Sequence, residues 1–108
     1  MKVFELNQGY AVACASKLDG LETADKYKVI KAVRALKQVA DDFNGFVEQT
    51  KESEKTEKEQ IKIIDAEANR EIEIPAFDKI KPEAFEKMMS ANSWNAVQAM
   101  YMQDLLVE

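Results

Sequence analysis

TADKYKVIKAVRALKQVADDFNGFVEQT, residues 23–50, is the stretch that decides the fold. Neither Gly nor Pro occurs between Thr23 and Asn44, and Val29, Val33, Leu36, Ala40, Phe43, Val47 and Thr50 recur at alternating spacings of four and three. That is the seam of an amphipathic helix, and Ile30, Val39 and Phe46 widen it. Thr23 is placed to cap its start. A helix reaching Thr50 is about 40 Å long at about 1.5 Å per residue. Gly45 should weaken it by on the order of 1 kcal/mol relative to Ala, which marks a place where it can bend or stop.

On the N-terminal side, Lys2 to Leu6 alternates Phe4 and Leu6 with Val3 and Glu5, the two-residue period of a short strand. Asn7 can then cap a helix to about Leu18, ended by Asp19 and Gly20. On the other side, residues 51–60 read KESEKTEKEQ and hold no apolar residue, as in a solvated helix end or a flexible connector. Ile61, Ile63 and Ile64, then Ile72, Glu73 and Ile74, read as two strands of a hairpin joined through DAEANRE and closed by Pro75. A hairpin alone is marginal, so the N-terminal strand is the expected third member. Pro82 suits the first turn of a helix over 82–90, and Ser93 or Asn92 can cap a last helix over 93–106 with Trp94, Val97, Tyr101 and Leu105 on one face. The pattern predicts one domain, 1–108, of mainly α (α+β) class. Its expected architecture is a long central helix packed with shorter helices plus a small antiparallel β-hairpin or three-stranded sheet.

The chain has no histidine, so Ser-His, Cys-His and HExxH arrangements are impossible. Gly9, Gly20 and Gly45 lie too far apart to cradle a phosphate or form a dinucleotide fingerprint. Cys14 sits among alanines and reads as a packed structural thiol. Acidic pairs such as Asp41 with Asp42 and Glu71 with Glu73 lack the spacing of a calcium loop. No catalytic, cofactor-binding or metal-binding residue is assigned, and no cofactor is expected. A net charge of −5 opposes non-specific attraction to nucleic acid, whose best binding face would be Lys26, Lys28, Lys31, Arg34 and Lys37. No apolar run approaches the roughly 20 residues that cross a bilayer, nothing resembles a signal peptide, and a single cysteine allows no internal disulfide. The cytoplasm is the expected setting.

The seam of residues 29–50 must be covered, and the other amphipathic elements, 7–18, 82–90 and 93–106, are each shorter. Laid end to end they could cover it, but pairing with the same helix of a second chain is simpler, so a homo-oligomer or a complex with another protein is expected. The candidate interaction surface is Val29, Val33, Leu36, Phe43, Val47, Trp94 and Tyr101. Trp94, Tyr101 and the methionines of the C-terminal third suit either a core or a partner-binding face.

VFELNQGYAVACASKL, residues 3–18, and YKVIKAVRALKQVADDF, residues 27–43, give the chain a layout that resembles small uncharacterised proteins encoded by tailed bacteriophages. The resemblance covers about half of the chain. It implies assembly, chaperoning or host-factor binding, in the host cytoplasm or the virion, and identifies no active residues. The function expected from the residues is a non-enzymatic protein-protein interaction or assembly protein acting through helical faces. The alternative is a small ligand-binding module or carboxylate-based enzyme using Tyr10, Tyr27 or Tyr101, and a nucleic-acid-associated regulator is the third reading.

Overall fold

A computed structural model describes residues 1–107. Among them are five helices, α1 (Val3–Ala15), α2 (Thr23–Lys51), α3 (Glu57–Ala68), α4 (Pro82–Ala91) and α5 (Ala96–Leu106). The expected α+β class is overturned, because no strand forms among the described residues and backbone pairing outside the helices is confined to two isolated bridges, Lys2 with Glu71 and Ile80 with Val107.

Each of the three expected strands fails for a separate reason. Residues 2–6 are too few to separate a period of two from one of 3.6, and Val3, Leu6 and Ala13 turn out to be buried on helix α1, whose N-terminus is closed by the Lys2 amide donating to Glu5 Oε1 at 2.9 Å. Residues 61–64 belong to α3, where Gln60, Ile63, Ile64, Glu67 and Ala68 are the half-buried positions, the spacing of one helical face. Thr56 caps that helix in a reciprocal box: Glu59 N–H donates to Thr56 Oγ1 at 3.2 Å, and Thr56 N–H donates to Glu59 Oε2 at 3.3 Å. Residues 72–74 carry no regular secondary structure and join no ladder.

Instead, residues 69–81 form a strap across the helices. At one end Val3 N–H donates to Arg70 O at 3.0 Å and Ile72 N–H to Met1 O at 2.9 Å; at the other, Ile80 N–H donates to Leu106 O at 2.8 Å. Between these anchors Ile72, Ile74 and Phe77 pack half-buried against the core, and Ile80 is wholly inside it. The strap therefore ties both ends of the described chain to one core.

Helix α1 is the centre of that core. Its sequence, VFELNQGYAVACA, is apolar around most of its circumference, as suits a helix covered on more than one side. Helix α2 packs along one side and α5 along another. The α2 seam of Val29, Ala32, Leu36 and Ala40 is buried, and α5 delivers Met102, Leu105 and Leu106. Gly9 lets α5 come close. A Cβ at position 9 would overlap Leu105 Cδ1 and lie 3.6 Å from its Cγ.

The α4–α5 junction is fastened to the end of α1. Asn92 Oδ1 accepts from Lys17 N–H at 2.7 Å, while Asn92 Nδ2 donates to Lys17 O at 2.9 Å and Met88 O at 2.8 Å. Trp94 precedes α5 and does not lie on it; its Nε1–H donates to Ser16 Oγ at 3.2 Å, and its ring lies 5.7 Å from that of Phe85. The α2 helix runs unbroken through Gly45, around which a Cβ would meet nothing within 4 Å.

The two helical glycines should respond to the same substitution with opposite signs. Gly45→Ala is expected to raise stability by about 0.5 to 1 kcal/mol, through helix propensity alone. Gly9→Ala should lower it by about 1 to 2 kcal/mol, because the buried Leu105 side chain must shift. Thermal or urea unfolding of both variants checks this; a stabilised Gly9→Ala protein would contradict the close packing of α1 on α5.

Candidate partner-binding cleft

The C-terminal half of α2 and the antiparallel α3 form a helical hairpin that belongs less to the core than any other part of the chain. Its turn is tied by one side chain: Gln60 Nε2 donates to Lys55 O at 3.0 Å, Ser53 O at 3.3 Å and Lys51 O at 3.4 Å. Helix α3 holds no fully buried residue. Phe43, Phe46 and Val47 on α2 are half-buried and lie outside the core cluster. The hairpin is thus well closed at its tip and incompletely covered along its sides.

Where the hairpin meets α1 and the strap, an open cleft of about 420 Å³ remains. Val39, Phe43 and Phe46 form its α2 wall, Val3 and Ile72 close its floor, and Asp42, Glu67, Arg70 and Glu73 stand around it. The Arg70 guanidinium is fixed on Glu67, with Nε 3.0 Å and Nη2 2.8 Å from the same Oε1. That hydrogen bond, followed by the charge of Glu67, raises the pKa of Arg70. Asp42 accepts from Gln38 Nε2 at 2.9 Å. The arrangement has the composition of a binding surface: aromatic and aliphatic walls, with polar groups at the margin.

Charge is concentrated there too. Residues 41–73 hold eleven of the twenty Asp and Glu residues and five of the fifteen Lys and Arg, a balance of −6, against +1 for the rest of the sequence. The whole net charge of the chain therefore resides on and beside the hairpin.

The residues expected at an interaction surface are distributed between interior and surface. Val29 and Leu36 lie in the core against α1, and Val33 is half-buried beside them. The α2 seam is therefore covered over much of its length by this chain's own elements. Phe43 lines the cleft and Val47 is half-buried further along the hairpin. Trp94 and Tyr101 are half-buried, Trp94 against Ser16 and Phe85 and Tyr101 beside Gly9. The four methionines of the C-terminal third divide evenly, Met88 and Met102 being fully buried while Met89 and Met100 are 41% and 61% exposed over the groove between α4 and α5. Sequence reading missed Glu67, Arg70 and Ile72 as cleft residues; the Thr56-x-x-Glu59 cap followed by Ile63, Ile64 and Glu67 was the signal that α3 is a helix facing α2.

No family model, curated protein or solved structure matches the chain. Among the described residues no group of three or more Cys, Asp or Glu converges as a metal site would, and no helix is long and apolar enough to cross a membrane. Tyr10, Lys37 and Arg70 are all shifted upward. A hydrogen bond with Cys14, then desolvation, raises the pKa of Tyr10, and the hydrogen bond with Asp41 raises that of Lys37. A nucleophilic lysine or a phenolate base needs the opposite shift.

Cys14 is exposed and not packed as the run of alanines suggested, because α1 buries positions 6, 9 and 13 and turns 11, 14 and 15 outward. Folded protein is expected to react with iodoacetamide at Cys14 as readily as unfolded protein within a few-fold, and Cys14→Ala to change stability by less than about 0.5 kcal/mol. Protection of the thiol until denaturation, measured by intact-mass spectrometry, would contradict this placement.

Proposed function

We propose that the protein acts by contact, as a non-enzymatic protein-protein interaction or assembly protein, and that the α2–α3 cleft is where it engages a partner. One observation carries this reading: two phenylalanines, Phe43 and Phe46, stand in an open cleft outside the hydrophobic core, on a hairpin whose second helix buries nothing completely. Aromatic side chains left half-covered between charged margins are the usual anchors of an interface. A stable interface covers about 800 Å² on each side, so a partner filling the cleft would also spread over α3 and the strap. That contact would bury the outward parts of Phe43, Phe46 and Ile72 and hold α3 against α2 from outside.

A cytoplasmic or virion setting and an origin in a tailed bacteriophage belong to the same proposal; they rest on the composition and on the resemblance of the opening half.

Affinity capture from the native source, with quantitative mass spectrometry, tests the reading. Phe46→Ser is expected to reduce recovery of a partner at least ten-fold while circular dichroism remains helical, and Val97→Ser, at an exposed position on α5, should leave recovery unchanged. Equal recovery by wild type and Phe46→Ser would remove the cleft from the interface.

A further inference from the structure

We infer that the cleft also receives a second copy of this chain, through the basic N-terminal end of that copy's α2. The proposal rests on the contact function above and adds an occupant and a polarity to it. Tyr27, Ile30, Lys31 and Arg34 follow the spacing i, i+3, i+4 and i+7, so they share one stripe of α2. Tyr27 is 54% and Ile30 42% exposed, two large apolar side chains about half open to water. Lys31 Nζ stands 4.6 Å from the centre of the Tyr27 ring, and Lys26 and Arg34 are exposed beside it. This is an apolar pair set among cations.

The cleft is its complement in both respects. It offers Phe43, Phe46 and Ile72 as walls, and Asp42, Glu67 and Glu73 outnumber Arg70 around it. A volume of about 420 Å³ has room for the side chains of Tyr27 and Ile30. Docked there, Tyr27 and Ile30 would leave water against phenylalanine, while Lys31 and Arg34 would face Asp42 and Glu73.

The two surfaces cannot satisfy each other within one molecule. They lie about 18 Å apart along one continuous helix and about 120° apart around its axis, at about 1.5 Å and 100° per residue. The same offset turns the two surfaces toward different sides of α2, which disfavours a reciprocal twofold pair. The contact is therefore heterologous, the tail of one copy on the head of the next, and it either closes into a ring or continues as a filament.

Sedimentation velocity on the full chain tests this with two surface variants. Tyr27→Ser/Ile30→Ser removes the apolar pair and keeps the cleft; Asp42→Lys/Glu73→Lys reverses the margin of the cleft and keeps the pair. All four positions are exposed, so both proteins should fold, which circular dichroism verifies. Wild type is expected to gain mass as concentration rises from about 10 µM to about 1 mM, and to lose that gain in high salt. Each variant alone should remain monomeric, while their mixture should form a one-to-one pair that does not grow, since only one native contact is available. A control, Glu52→Lys/Glu54→Lys, makes the same charge change away from the cleft and should assemble as wild type does.

A wild type that stays monomeric throughout, a mixture that fails to pair, or a control that loses assembly as fully as the cleft variant would each overturn the inference. A monomeric wild type whose Phe46→Ser variant still loses a captured partner would leave the contact function standing. Loss of neither partner nor mass in the cleft variants would overturn both.

Discussion

Helix α1 has to be covered on two sides at once. Its residues are apolar around most of its circumference, and a lone partner helix would leave much of that surface in water. Helix α2 takes one side. The other needs α5 at a distance that a side chain at position 9 would prevent, so the fold depends on a glycine placed where Leu105 descends. Once α5 is seated, Leu106 O is in position to receive Ile80 N–H, the strap is drawn across, and its far end meets the residues that begin α1.

The hairpin stands outside this logic. The core cluster draws from α1, the N-terminal half of α2, the strap, α4 and α5, and it takes no residue of α3. What holds α3 is local: a capping box, the three carbonyls gathered by Gln60, an ion pair between Arg70 and Glu67, and half-buried isoleucines. Surface ion pairs and caps each contribute about 1 kcal/mol or less, so the hairpin is the part of the molecule with most to gain from a neighbour. The acidic charge gathered there gives a neighbour's approach a preferred sign.

Much of the helical content was legible in the sequence. The α2 seam spans enough turns for its period to be unambiguous, and Pro82 marks the start of α4 where the structure has it. The strands were misread where windows were short or partners distant. Ile61 to Ile64 is β-branched, and its helical setting lies in Thr56 and Glu59, five and two residues earlier. Ile72 to Ile74 alternates as an extended chain should, yet its backbone partner is the opening of the chain, and no hairpin forms. The cleft could not be read at all, since Val3, the 39–46 stretch and the 67–73 stretch come together only when the strap closes. Cys14 was hidden by composition: its neighbours are small on every side, and only the direction of burial on α1 separates it from Ala13.

One core, centred on α1, holds the molecule, and α3 stands apart from it. Amide hydrogen exchange of the free protein, resolved by residue, tests that division most directly. Amides in α1 and in α2 between Val29 and Ala40 should exchange only through global unfolding, and those of α3 through local opening at much lower free energy. Protection of α3 equal to that of α1 would contradict the account, because the hairpin would then belong to the core.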